Sequence, residues 1–169
     1  MPAMLRNLVA SAAAASFATL TCAGPAQDAA NQTLDRFHQA AAKAQFDEYF
    51  SLFAPEGVFI GTDASERWTV EQFKAYARPH FDKGRGWTYT KVERNIAVAA
   101  DGKHASFDEL LDNTGLGRCR GTGVLRLIDG QWRIEQYHLT IPVPNELATE
   151  VVKRIRESQD GAVQPGVKR

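Results

Sequence analysis

Glu109, His138 and Asp63, with Arg94 and Gln136 as polar partners, are side chains of this sequence whose types suit proton transfer. A carboxylate beside an imidazole can orient it or act as the base itself, and burial among aromatic rings raises a carboxyl pKa towards the range where such exchange is useful. Tyr49, Trp68, Phe107 and Trp132 are the aromatic residues available to line such a site. The combination points to acid–base chemistry on a small, largely apolar molecule. Each residue also has a plainer reading. Arg94 with Glu109 makes a cross-strand ion pair, His138 with Gln136 a satisfied polar network, Asp63 a loop hydrogen bond to backbone, and the tryptophans core packing.

Two Asp-Gly reversals must position these groups. Asp129-Gly130 lies between runs rich in β-formers, the strongest short signal for a two-residue hairpin, whose central residues need φ > 0. Counting out from that turn pairs Leu127 with Trp132, Leu125 with Ile134, Gly123 with Gln136, Gly121 with His138 and Cys119 with Thr140 on one face. The other face then holds Arg118, Arg120, Arg126 and Arg133 with Val124, Tyr137, Leu139 and Ile141, a mixture that fits a dimer interface with an apolar centre and a basic rim. Two glycines opposite Gln136 and His138 leave a hollow on the first face. The second reversal, Asp101-Gly102, pairs Val98 with Ala105, Ile96 with Phe107, Arg94 with Glu109 and Val92 with Leu111. The apolar residues turn this face inward and take Arg94 and Glu109 with them. Trp87 and Tyr89 have the opposite parity, which predicts a bulge in the strand.

Upstream, apolar residues at helical spacing run from about Asp28 to Phe53, ending by Pro55, and Val58–Gly61 reads as a short strand. Thr69 with Gln72 forms a capping box that opens a helix with Val70, Phe73, Tyr76, Ala77 and Phe81 on its buried stripe, kinked or stopped by Pro79. After Pro142–Asn145 a last helix carries Leu147, Val151 and Ile155. Residues 158–169 read as a disordered tail.

With 20 basic and 20 acidic residues in 169, no global field attracts nucleic acid or an acidic membrane surface. The uncharged run Asn7–Leu20 after Arg6, closing on small residues, reads as a signal peptide (1–26) cleaved after Ala23 or Ala26, and so as a secreted or periplasmic protein with no membrane association after cleavage. A lipoprotein acylated at Cys22 is disfavoured, since Thr21 stands directly before the cysteine. His38, His80, His104 and His138 fall in four different elements, so no metal site is expected. Nor does a glycine-rich loop precede a helix, so no cofactor is expected.

Residues 27–157 carry Val58-Phe59-Ile60-Gly61-Thr62-Asp63-Ala64 with Trp68, Phe107-Asp108-Glu109-Leu110, Arg120-Gly121-Thr122-Gly123-Val124-Leu125, and Trp132 to Leu139 leading to Pro142-Val143-Pro144-Asn145. In that order they resemble the SnoaL-like branch of the nuclear transport factor 2-like superfamily. The resemblance implies an α+β cone in which helices pack on the concave face of a curved antiparallel sheet, with a pocket between them and often a dimer through the sheet. It implies no single reaction, because the superfold hosts isomerases, cyclases, dehydratases and pure binding or scaffolding domains. Two function classes follow: a pocket for a small apolar or partly polar molecule with isomerase- or dehydratase-like acid–base chemistry, or a non-catalytic homodimeric assembly module that uses the outer sheet face.

Overall fold

The structure, a computed structural model, describes residues 24–162; the segments 1–23 and 163–169 lie outside the described residues. In chain order it contains α1 (Pro25–Ala42), α2 (Phe46–Ser51), β1 (Phe53–Ile60), β2 (Arg67–Thr69), α3 (Val70–Phe81), β3 (Thr90–Val98), β4 (His104–Asn113), β5 (Gly117–Ile128), β6 (Gln131–Thr140), a 3-10 turn (Asn145–Leu147) and α4 (Ala148–Ala162). The six strands form one sheet in the order β2-β1-β6-β5-β4-β3, antiparallel except where β1 runs parallel to β6. This is the expected α+β cone. Helix α1 packs across β3 and β6, and α3 packs on β1 and β2.

The long helix expected from Asp28 to Phe53 is broken. Ala44 takes φ 52°, and the chain closes by Gln45 N–H to the Ala40 carbonyl (2.8 Å) and Ala44 N–H to the Ala41 carbonyl (3.0 Å). That is a Schellman-type helix end, usually built on glycine, so the sequence gives little warning of it. The break turns α2 back so that Tyr49 stacks on Phe37, with ring centroids 4.6 Å apart. The capping box at Thr69 and Gln72 forms as expected, with the Gln72 side chain accepting from Thr69 N–H at 2.9 Å. Pro79 does not stop α3, which runs two residues further to Phe81.

Both reversals hold, with one consequential irregularity in each hairpin. Asp129 and Gly130 have φ 49° and 74°, the paired positive values of the expected turn. Leu127 pairs with Trp132 and Leu125 with Ile134, but the next partner of Val124 is Gln136, so Glu135 bulges out of the ladder. Beyond the bulge the register moves by one. Gly123 lies opposite Tyr137 and Gly121 opposite Leu139, while His138 pairs with Thr122 on the outer face. A bulge adds one residue to one strand and so exchanges the two faces from that point on. Tyr137 and Leu139, expected outside, are therefore buried. In the other hairpin Arg94–Glu109, Ile96–Phe107 and Val98–Ala105 pair as expected; the bulge falls at Val92, which leaves the inner face and is exposed.

At the C-terminus α4 continues through Ala162, into the segment expected to be a disordered tail. From Ala148 to Gln159 each of its residues is exposed except the half-buried Val151.

Candidate functional site

Glu109 sits on the inner face of β4 with its side chain wholly buried. A carboxylate so placed must find donors, and three reach it from three different elements. His38 Nε2 of α1 lies 2.7 Å from Oε1, the Tyr137 hydroxyl of β6 donates to the same oxygen at 2.7 Å, and Arg94 Nε of β3 donates to Oε2 at 2.7 Å. Arg94 is itself held by Asn31 and Asp35 of α1, its Nη1 lying 2.6 Å from Asn31 Oδ1 and 2.7 Å from Asp35 Oδ1. Its Nη2 is buried without a partner among the described residues. Gly121 makes the cluster possible, since a Cβ there would strike the Tyr137 hydroxyl and come within 2.9 Å of Glu109 Oε1.

Burial pushes the Glu109 carboxyl up, but the His38 hydrogen bond and charge, the Arg94 guanidinium and the Tyr137 hydroxyl together outweigh it and hold the group below its ordinary value. Tyr137 is pushed well up, by its own burial and by the neighbouring Glu109 charge, so it remains a hydroxyl donor. An ionised Glu109 carries no proton, so Nε2 of His38 must be the donor in their contact. The second ring nitrogen, Nδ1, makes no hydrogen bond among the described residues and is an acceptor whenever the ring is neutral.

His38 and Tyr137 also form part of the wall of an open-mouthed cavity of about 200 Å³ lined from α1, α2, α3, β1, β2, β6 and the 87–89 segment. The rest of the wall is mainly aromatic: Phe37, Tyr49, Phe59, Trp68, Phe73, Tyr76, Trp87 and Tyr89, whose conjugate rings give apolar surface with a few hydroxyls. Tyr49 accepts from Trp87 Nε1 at 3.4 Å, and burial holds its own hydroxyl protonated. Tyr89 is pushed up to about 12, first by burial. Among the described residues no group of three or more His, Cys, Asp and Glu is gathered that could hold a metal ion.

Of the residues expected at the site, Glu109 and Arg94 meet as an ion pair, and Tyr49 and Trp68 line the cavity. Phe107 is buried near Tyr137, with ring centroids 5.7 Å apart, and is not part of the cavity wall. Trp132 is core, away from the cavity. His138 and Gln136 require correction. The bulge at Glu135 turns both to the outer face, where His138 is half-buried and Gln136 exposed. The hollow expected beside Gly121 and Gly123 is filled instead by Tyr137, Glu109 and Phe107. Asp63 also lies outside the cavity, in an exposed loop where the Ser65 hydroxyl and N–H bind it at 2.6 and 2.8 Å and lower its pKa. The imidazole of the site is His38. Its signal was its spacing, because Leu34, Phe37, His38 and Ala41 follow the i, i+3, i+4, i+7 pattern of a buried helical stripe.

A family model for the SnoaL-like domain matches residues 30–144, which spans every element of the cluster and the cavity. The chain belongs to the SnoaL-like domain family. Among solved structures, this SnoaL-like domain is similar to an NTF2-like protein of unknown function from Pseudomonas putida (15% identity, TM-score 0.57, 69% of this chain and 86% of that one). It is also similar to a candidate dehydratase of the NTF2-like family from Streptomyces avermitilis (12%, TM-score 0.59, 69% and 96%). A third similar structure is a candidate calcium/calmodulin dependent protein kinase II association domain from Xanthomonas campestris (24%, TM-score 0.54, 76% and 94%). At these identities the likeness establishes the fold of the SnoaL-like domain and nothing finer. No curated protein matches the chain.

The network sets a pH dependence. Because the folded-state pKa of Glu109 lies below its ordinary value of 4.5, its contribution to stability is present above that value and is lost as pH falls through the folded pKa. Glu109→Gln is expected to cost about 3 kcal/mol near neutral pH by leaving buried donors without their anion. The penalty should shrink in acid. Urea unfolding of both proteins from pH 7 to pH 3 checks this, and a pH-independent difference contradicts it.

Proposed function

We propose that this SnoaL-like domain binds a small, mainly apolar molecule in the aromatic cavity and exchanges a proton with it through His38. The observation that carries the reading is the contact between His38 Nε2 and the ionised Glu109, made by a histidine that is also part of the cavity wall. The carboxylate fixes the ring and its tautomer, so Nδ1 is the basic atom. On taking a proton the ring becomes an imidazolium whose Nε2–H still donates to Glu109. Tyr137 cannot be the base, since its hydroxyl donates to Glu109. The cavity lies below the ~300–1,000 Å³ usual for drug-sized ligands, which restricts the molecule to roughly the size of a substituted single ring. The candidate dehydratase among the similar structures is consistent with this class of chemistry, in which a proton is removed beside a carbonyl or hydroxyl.

A panel of small cyclic ketones in deuterated buffer tests the reading by α-hydrogen exchange. The wild-type protein should accelerate exchange for at least one member, and His38→Ala should lower that rate by about 100-fold, the usual worth of a positioned base. Exchange equal to buffer across the panel, or undiminished in His38→Ala, overturns it.

We further propose that the mature protein is exported and paired. Cleavage after Ala23 is supported over cleavage after Ala26 because Gly24 and Pro25 open α1, the Gly24 carbonyl accepting Asp28 N–H at 3.0 Å. Pairing through a second copy is supported by α4, which keeps Val152 and Ile155 exposed. A helix of this length is marginal without a packing surface. Native mass spectrometry of protein recovered from the periplasm reads both: a two-copy complex of chains beginning at Gly24 is expected, and a single copy or a retained N-terminal segment contradicts the respective proposal.

A further inference from the structure

Among the described residues the cavity wall contains neither lysine nor arginine, and its one carboxylate is Glu66, between β1 and β2. The buried part of the wall, Phe37, His38, Tyr49, Phe59, Phe73 and Tyr137, forms the deep end. Thr62, Glu66, Tyr76 and Leu116 are exposed or half-buried and form the mouth. Glu66 is fixed there by its own loop. Gly61 N–H donates to the Glu66 carbonyl at 2.8 Å, Glu66 N–H to the Asp63 carbonyl at 3.0 Å, and Asp63 N–H to Glu66 Oε2 at 3.2 Å. The absence of a side chain at Gly61 is what admits the carboxylate, since a Cβ at that position would collide with Glu66 Oε2. Oε1 has no hydrogen-bond partner, and the carboxylate joins no ion pair among the described residues.

A single unneutralised anion at the rim of an aromatic cavity has a definite preference. It attracts a cation, repels a carboxylate or phosphate, and works together with the neighbouring Trp68 and Tyr76 rings, which favour cations over their faces. Deeper in, Glu109 carries the second negative charge, but Arg94 and the His38 and Tyr137 donors already compensate it. The demand for a counter-charge is therefore at the mouth.

Resting on the reading of the cavity as a ligand site, we infer that its ligand is a small apolar amine, with the ammonium at Glu66 and the apolar body directed towards His38. The probes are 2-phenylethylamine, its neutral counterpart 2-phenylethanol, and phenylacetate, titrated into the wild-type protein and Glu66→Gln by calorimetry at low ionic strength. Glu66→Gln keeps an oxygen to accept from Asp63 and removes only the charge. In the wild type the amine should bind at least about fivefold more tightly than the alcohol, the order of effect of one cation at a partly desolvated aromatic and anionic site, and phenylacetate more weakly than either. In Glu66→Gln the preference for the amine should disappear, with the affinity for the alcohol unchanged. Equal affinities for amine and alcohol in the wild type overturn the inference and leave the pocket reading standing, as does an amine preference that survives Glu66→Gln. Binding of none of the three overturns both.

Discussion

A buried carboxylate is tolerated only when its lone pairs are met, and the structure is built around meeting those of Glu109. The donors come from α1, β3 and β6, elements separated by long stretches of chain, so the network can form only when the helix lies across the sheet at one position and in one rotation. Removing the carboxylate leaves several donors unsatisfied at once, whereas losing a methyl from the surrounding core is a local event. The same geometry delivers His38 to the cavity wall with one nitrogen committed and the other available. Fold and candidate chemistry therefore depend on one interaction.

The aromatic packing supplies the second half of the arrangement. Phe37, next to His38 on α1, stacks on Tyr49 and packs against Phe53 and Tyr137, so the histidine's neighbour is locked to both α2 and β6. Phe73 of α3 stacks on Phe59 of β1 with centroids 4.1 Å apart, which closes the opposite wall. Large flat side chains with two rotatable bonds fill volume at low entropic cost but cannot fill it completely where hydroxyls and indole nitrogens must be accommodated, and the cavity lies in that remainder.

Much of this was legible in the sequence. The Asp-Gly turns gave the pairing of Arg94 with Glu109 and of Leu125 with Ile134, and the inward apolar face carried Glu109 into the core. What failed was the assumption that a strand keeps its parity. Glu135 is an ordinary charged residue in a β-rich run, and nothing in its type marks a bulge, yet it exchanges His138 for Tyr137. A clue was present in the pattern, because Tyr137, Leu139 and Ile141 are more apolar than Gln136 and His138, and burial decides register. His38 was missed for a different reason: a polar residue on an apolar helical stripe draws attention only once a buried counter-charge is known, and Glu109 lies 71 residues away. The break at Ala44 was illegible because its residue type favours the helix that its backbone ends.

An ionised Glu109 accepts from His38 Nε2 and leaves Nδ1 without a hydrogen bond among the described residues. Long-range ¹H–¹⁵N correlation of the histidine rings, with the His38 signals assigned by their loss in His38→Gln, reads the tautomer directly. When the His38 ring is neutral it is expected to be the Nε2–H, Nδ1-unprotonated tautomer, and this preference should be lost in Glu109→Gln. An Nδ1–H tautomer in the wild-type protein, or a ring averaging between the two forms, would contradict it.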